Sequence, residues 1–160
     1  MAEVVIMRGL PGAGKSTWVR MNLPDAQVCS ADSFFVGEDG EYRFDGSRLS
    51  EAHSHCLRRF AETVSTGGDS STSTQSPATI VVDNTGISAW EISPYYNLAR
   101  AFGHDVRIVH LKCSPETAHG RNVHGVSMDR VLEMDRKMAA EEFPPFWNLQ
   151  VVEFEETLNG

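Results

Sequence analysis

The sequence lacks any apolar run of about 18 residues, the length that a membrane-spanning helix needs. Its first residues enter a short strand pattern at once, without the basic start and long apolar stretch of a secretory signal. We therefore expect no membrane span and residence in the cytoplasm. At 160 residues the chain has the length of one domain, 1–160, which can bury a sizeable core.

Cysteine is scarce. Cys29, Cys56 and Cys113 lie far apart, are odd in number and form no CxxC pair. Their spacing predicts neither a disulfide framework nor a zinc cluster, so we interpret them as small buried hydrophobic residues. The six histidines have no cysteine or carboxylate at ligand spacing, which argues against a histidine metal site.

Positive charge is also in deficit, because 14 Lys and Arg face 22 Asp and Glu and give a net charge of −8. This balance disfavours broad, nonspecific attraction to a polyanion and counts mildly against nucleic acid as a substrate. The acidic residues cluster at 38–41 and 153–156, so a local basic groove elsewhere remains compatible with the sequence.

The chain does contain an alternation of strand and helix patterns. Short apolar runs of strand character occupy residues 4–7, 27–29, 79–82, 106–111 and 149–154. The segment 50–64 carries its apolar residues on one face of a helix. These patterns predict an α/β protein with a doubly wound, mostly parallel five-stranded sheet.

Three serines read as helix N-caps. Ser93 with Pro94 predicts a helix that runs to residue 101 or 102, and Ser114 with Pro115 predicts a short helix after the fourth strand. Ser127 predicts a further helix that reaches about residue 138, with Val126 and Val131 forming a hydrophobic staple.

The segment 65–78 is rich in Ser, Thr and Gly and has almost no apolar side chains. Such a composition cannot bury enough surface to offset the entropy of ordering, so it predicts a flexible low-complexity insertion. A loop regulated by phosphorylation is the alternative interpretation.

Residues 9–17 match GxxxxGK[ST] directly after a strand and before a helical stretch. This pattern is a P-loop, in which backbone N–H groups and the helix N-terminus surround phosphates. Lys15 is expected to reach the β- and γ-phosphates of ATP, Ser16 to bind Mg²⁺ and Thr17 to contact the α-phosphate. The predicted nucleotide-binding residues are Gly9, Pro11, Gly12, Ala13, Gly14, Lys15, Ser16 and Thr17. The P-loop predicts a P-loop NTPase fold of the kinase type.

Two aspartates follow predicted strands. Asp83 ends the third strand and is expected to hold Mg²⁺ with Ser16, although it could instead cap the next turn. Asp32 follows the second strand and could accept the proton of an attacking hydroxyl; a cap for a turn at 33–36 is the alternative.

Arginines flank Gly125, which could serve as the hinge of a helical lid. Guanidinium groups closing over ATP would neutralise charge on the transferring phosphoryl oxygens. We predict this role for Arg121 and Arg130, and less strongly for Arg136, against the alternative of solvated helix-face arginines.

With the P-loop, residues 31–35, the strand end at 80–85 and residues 121–127 in this order, the chain resembles the zeta-toxin and polynucleotide-kinase group of P-loop kinases over residues 4–136. Within that group it is similar to the kinase-like module of proteins that bind a ubiquitin ligase and to bacteriophage 5′-hydroxyl polynucleotide kinases. The resemblance implies that Asp32 is the general base and that Arg121 belongs to the lid. The acceptor-side arginines of that group cannot be aligned, which leaves Arg43 and Arg48 as candidates.

These features together predict a kinase that uses ATP and Mg²⁺ to phosphorylate a hydroxyl group. The leading acceptor is a 5′-hydroxyl end of single-stranded RNA or DNA, and a small hydroxylated metabolite or sugar nucleotide is the alternative. An ATP-binding interaction module with slow ATPase activity is the alternative of another class.

Overall fold

The computed structural model describes residues 2–66, 79–122 and 124–154. Its strands are β1 (Glu3–Arg8), β2 (Gln27–Cys29), β3 (Thr79–Asp83), β4 (Asp105–Lys112) and β5 (Leu149–Glu153). They form one sheet in the order β2-β3-β1-β4-β5, and every neighbouring pair is parallel. The predicted α/β architecture is therefore confirmed, and each predicted strand boundary lies within one residue of the observed one.

In the part of the chain that the structure describes, five α-helices connect these strands: α1 (Lys15–Asn22), α2 (Leu49–Thr66), α3 (Ala89–Ala101), α4 (Pro115–Arg121) and α5 (Met128–Ala140). Short 3₁₀ helices occupy Ala31–Phe35 and Gly46–Arg48. In the described ranges no helix combines the length and the apolar character that crossing a membrane requires.

The sheet is covered by helices on both faces, and its central strand β1 is apolar from Val4 to Met7. Val4 and Ile6 pack in a core with α2 and α3, while Val5 and Met7 pack in a second core with α1, α4 and α5. A parallel strand buried on both faces reads as a continuous apolar run, which is why the sequence revealed it. As expected, Cys29 and Cys56 are buried; Cys113 is half-buried.

The predicted start of α3 at Ser93 is wrong. The helix begins at Ala89, because Ser88 accepts a hydrogen bond from the backbone N–H of Glu91 and the Glu91 carboxylate accepts one from the backbone of Ser88. This capping box satisfies two helix-end donors. Pro94 lies inside the helix, where it lacks the N–H that would donate one turn back.

The other two caps are confirmed. Ser114 accepts from the backbone N–H of Thr117 at the start of α4, and Ser127 accepts from that of Arg130 at the start of α5. Val126 and Val131 pack in the same core, as a hydrophobic staple requires.

Two residues assigned to the predicted insertion 65–78 are helical. Ser65 and Thr66 belong to the last turn of α2. The remainder of the segment, residues 67–78, lies outside the described part of the chain, and its interpretation stays a prediction.

Arg8, at the end of β1, is a buried cation that connects three parts of the fold. Its guanidinium donates to the carbonyls of Gly86 and Ile87 at 2.8 Å and to that of Met138 in the last turn of α5 at 3.2 Å. The same group lies 4.5 Å from the centre of the Phe143 ring. Since the side chain is only 4% exposed, these partners compensate the cost of burying its charge.

His110 on β4 is the neutral neighbour of this cation. An Arg8 N–H lies 3.2 Å from Nδ1 of His110, which accepts when the ring is neutral. Burial, and then the positive charges of Arg8 and Lys112, lower the pKa of His110 to about 4.

This arrangement predicts a loss of stability in mild acid. Below the ordinary histidine pKa of about 6.5 the unfolded chain takes up a proton at His110, whereas the folded chain does so only near pH 4. His110 therefore does not destabilise the fold above pH 6.5, and the loss of unfolding free energy that it causes grows as the pH falls from about 6.5 to about 4. His110→Asn keeps an acceptor for Arg8 without titrating, so its unfolding free energy should fall less across this window.

Urea denaturation at pH 7.5, 6 and 5 measures the difference. His53→Asn removes an exposed histidine from α2 and serves as the control, which should follow the wild type. Equal acid losses in wild type and His110→Asn would show that His110 does not contribute.

Candidate active site

The P-loop passes directly beneath α4. It runs from the end of β1 into α1, and Gly12 and Gly14 adopt positive φ values of 89° and 97°. A Cβ atom at Gly12 would lie 2.0 Å from the carbonyl oxygen of Ala118, and one at Gly9 would lie 3.1 Å from that of Leu111. Glycine is therefore required at Gly12 both by the backbone conformation and by the approach of α4.

Lys15 holds its ammonium group inside this loop. Nζ donates to the carbonyl oxygens of Gly9 and Leu10 at 3.0 and 2.9 Å. Burial lowers the pKa of Lys15, and the negative charges of Asp83 and Asp32 act in the opposite direction. The Lys15 ammonium therefore lies within electrostatic range of both aspartates that follow predicted strands.

Ser16 and Asp83 meet across the sheet edge. The Ser16 hydroxyl donates to Oδ2 of Asp83 at 2.7 Å. The contact follows from strand register, because Met7 pairs with Asp83 and so the P-loop leaves β1 beside the end of β3. A hydroxyl and a carboxylate oxygen at this separation are the hard ligands that Mg²⁺ prefers, so these two residues fit that ion.

Asp32 does not cap the turn that follows β2, so that alternative is wrong. Ser30 caps the 3₁₀ helix, and its hydroxyl accepts from the backbone N–H of Asp32 at 3.2 Å. The Asp32 carboxylate is exposed and faces Tyr42, whose hydroxyl donates to Oδ1 at 3.4 Å. Nε2 of His124 lies 3.8 Å from Oδ2.

Asn84 fixes the segment that carries Asp32. Its Oδ1 accepts from the backbone N–H of Ala31 at 2.9 Å, and its amide nitrogen lies 3.6 Å from Sγ of the buried Cys56. Asn84 therefore ties the end of β3 to the turn after β2.

The two predicted lid arginines, Arg121 and Arg130, differ in their burial. Arg121 is half-buried at the end of α4, one turn after Ala118, and lines a cleft of about 650 Å³. The other lining residues are Lys112, Cys113, Ser114, Pro115, Thr117, Asp135, Glu153 and Phe154. Arg130 is exposed on the first turn of α5, and among the described residues no side chain pairs with its guanidinium. Phosphate contact by either arginine stays a prediction.

Arg43 and Arg48, the acceptor-side candidates, are both engaged by acidic neighbours. Arg43 pairs with Asp39 and Glu41, and Arg48 pairs with Glu51. Their charge is therefore partly compensated within the chain.

Sequence reasoning missed Arg8, Tyr42, Asn84 and His124. Asn84 had a usable signal, since it follows Asp83 at a strand end where polar residues of an active site gather. Tyr42 and His124 had none, because they are 82 positions apart in the chain and only folding places them beside Asp32.

Several solved structures share this fold, and kinases are among them. They include a gluconokinase from Sinorhizobium meliloti 1021, with 13% identity, a TM-score of 0.58 and coverage of 97% of this chain and 84% of that one. The APS kinase CysC of Mycobacterium tuberculosis, in complex with AMPPNP and APS, has 16% identity, a TM-score of 0.59 and coverage of 98% and 90%. The Pnkp1/Rnl/Hen1 RNA repair complex contains a chain with 12% identity, a TM-score of 0.66 and coverage of 86% and 44%.

The chain therefore has a kinase-like P-loop fold. Within that class the chain belongs to the AAA domain family AAA_33, whose model matches residues 4–124. It is also 32% identical over 138 residues to NEDD4-binding protein 2 of Homo sapiens. That alignment covers 82% of this chain and 7% of the human protein, so it relates one segment of a much longer molecule to this domain.

The contact between the P-loop and α4 predicts unequal effects of two alanine substitutions. Gly12→Ala and Gly40→Ala each place a side chain at positive φ, which costs about 1–2 kcal/mol. Of these two glycines, Gly12 lies against the backbone of α4, whereas nothing lies within 4 Å of a Cβ at Gly40. We expect Gly12→Ala to lose about 1–3 kcal/mol more unfolding free energy, the usual cost of overpacking.

Urea denaturation of both variants measures this difference. Equal losses would show that α4 does not rest on the P-loop in solution.

Proposed function

We propose that this domain is an ATP-dependent phosphotransferase that moves the γ-phosphoryl group to a hydroxyl, with a 5′-hydroxyl end of RNA or DNA as the leading acceptor. The observation that carries the proposal is the grouping of Lys15, the Ser16–Asp83 pair and the exposed Asp32 carboxylate at one edge of the sheet. The resemblance to the zeta-toxin and polynucleotide-kinase group supports a 5′-hydroxyl end as the acceptor. On the same resemblance we propose that the chain belongs to that group. We also propose that the protein resides in the cytoplasm.

In the proposed reaction, the backbone N–H groups of residues 9–17 and the Lys15 ammonium bind the triphosphate. Lys15 would exchange its present bonds to Gly9 and Leu10 for phosphate oxygens. Ser16 and Asp83 would hold Mg²⁺, which neutralises charge on the β- and γ-phosphates when it is bound. Thr17 would contact the α-phosphate.

Asp32 would act on the other reactant. Its carboxylate accepts the proton of the acceptor hydroxyl while that oxygen forms a bond to the γ-phosphorus. The bond between the γ-phosphorus and the β–γ bridging oxygen breaks, and ADP leaves with the electron pair. Arg121 and Arg130 would neutralise charge on the transferring group after the segment between α4 and α5 closes over it.

A small hydroxylated metabolite is the second candidate acceptor. The compensated charges of Arg43 and Arg48 favour it, because a polynucleotide end carries phosphates that call for unpaired cations nearby. The remaining alternative, an ATP-binding interaction module with slow ATPase activity, does not require a carboxylate that faces an acceptor.

Asp32→Asn should separate nucleotide binding from transfer. Asparagine keeps the size of the side chain and one acceptor oxygen but cannot take a proton. We expect unchanged affinity for ATP and a loss of about two to four orders of magnitude in transfer from γ-labelled ATP to a 5′-hydroxyl oligonucleotide. Calorimetry measures the affinity for ATP, and a filter assay measures transfer to the oligonucleotide.

Asp25→Asn changes an exposed aspartate of the turn between α1 and β2 and should behave as wild type. Wild-type transfer by Asp32→Asn would remove the base from the proposal. Labelling of a small metabolite with no labelling of any oligonucleotide would retain the kinase and reject the nucleic-acid acceptor.

A further inference from the structure

Three side chains from separate segments meet on the acceptor side of the P-loop. The Tyr42 hydroxyl lies 3.4 Å from Oδ1 of Asp32, and Nε2 of His124 lies 3.8 Å from Oδ2. The Tyr42 and His124 rings pack against each other, with centroids 4.6 Å apart and planes at 48°. Tyr42 thus contacts the Asp32 carboxylate through its hydroxyl and the His124 ring through its own ring.

The loop that carries Tyr42 is internally fixed. Val36 and Tyr42 form an antiparallel bridge, and the backbone N–H of Arg43 donates to the carbonyl of Phe35 at 2.9 Å. The Phe35 and Tyr42 rings meet edge to face at 6.2 Å. Since Phe35 ends the 3₁₀ helix that contains Asp32, these contacts hold the phenol at a set position relative to the carboxylate.

His124 comes from the segment between α4 and α5. Its backbone N–H donates to Oδ1 of Asn122 at 2.8 Å, and Asn122 follows α4, the helix that rests on Gly12. The position of the His124 ring therefore depends on where α4 ends.

The Tyr42 hydroxyl is a hydrogen-bond donor to Asp32. Burial, and then the negative charge of Asp32 and its hydrogen bond, raise the pKa of Tyr42 to about 12. The hydroxyl consequently keeps its proton at neutral pH and directs it at Oδ1. Oδ2 has the longer, 3.8 Å contact and is the oxygen left for an acceptor hydroxyl.

We propose that Tyr42 is a positioning residue for Asp32, and that the His124 ring clamps Tyr42 in place from the segment between α4 and α5. The phenol occupies Oδ1 and sets the carboxylate rotamer, so that Oδ2 faces the acceptor. This inference rests on the proposed function of Asp32 as the base.

Tyr42→Phe tests the hydroxyl while keeping the ring. In transfer from γ-labelled ATP to a 5′-hydroxyl oligonucleotide we expect kcat/KM for the acceptor to fall about tenfold, as for the loss of one hydrogen bond to a charged group, with unchanged KM for ATP. Tyr96→Phe makes the same chemical change where the ring stacks on Trp147, away from Asp32, and should leave both constants unchanged.

A double-mutant cycle separates positioning from a merely structural role. In an Asp32→Asn background Tyr42→Phe should cost less than twofold, because the hydroxyl acts through a carboxylate that is no longer there. A tenfold cost in both backgrounds would overturn the inference while leaving the kinase intact. A wild-type protein that labels no acceptor would instead reject the proposed function, and the positioning role with it.

Two variants of His124 test the clamp. His124→Phe keeps a ring against Tyr42 and should retain transfer within about threefold, whereas His124→Ala should match the loss in Tyr42→Phe. If both variants are equally impaired, the imidazole nitrogen and not the ring is what matters, and the clamp is rejected.

An NMR measurement on the free protein needs no substrate. The ¹³Cζ resonance of Tyr42 should move when Asp32 is changed to Asn, while those of Tyr95 and Tyr96 stay in place. An unmoved Tyr42 resonance would show that the contact is absent in solution and would overturn the inference whatever the activity.

Discussion

The parallel pairing of β1 with β3 is the constraint on which the rest of the site depends. Because Met7 lies opposite Asp83, the chain leaving β1 for the P-loop passes beside the end of β3. The Ser16 hydroxyl can then reach the Asp83 carboxylate. The pairing of β2 with β3, in which Cys29 faces Val82, brings Asp32 to the same edge. A slip of register would separate all three groups.

Contacts with α4 and α5 also fix this edge of the sheet. Ala118 of α4 presses its carbonyl onto Gly12, and Arg8 ties the end of β1 to the last turn of α5. The segment between these helices carries His124 to Asp32. The pair of helices α4 and α5 therefore contacts the P-loop and the end of β1, and the segment between them also places a residue beside Asp32.

Local signals in the sequence were sufficient for most of the fold. The inner strands β1, β3 and β4 were predicted because a parallel strand buried on both faces must be largely apolar. The caps Ser114 and Ser127 were predicted because a cap acts on residues next to it in the chain. The start of α3 was misplaced because two local signals compete there. Ser93 with Pro94 has the sequence of a helix start, but the helix begins after the capping box of Ser88 and Glu91, whose N-cap lies five residues earlier.

The candidate site was predictable only where its residues follow a motif or a strand end. Lys15, Ser16, Asp83 and Asp32 meet that condition, and the structure brings them together. Tyr42, His124 and Arg8 do not, since their roles depend on contacts with residues far away in the chain. Arg8 in particular reads as the polar end of β1 until α5 is seen packed against it.

The most direct test of the central claim is where the γ-phosphoryl group goes. γ-labelled ATP is incubated with the protein, a panel of 5′-hydroxyl oligonucleotides and small hydroxylated metabolites, and the label is traced to acceptor or to inorganic phosphate. We expect label on a hydroxyl acceptor, first of all on the 5′ end of the oligonucleotide, and no labelled acceptor with Lys15→Ala. Label released only as inorganic phosphate, whatever the acceptor, would contradict the central claim and favour an interaction module with slow ATPase activity.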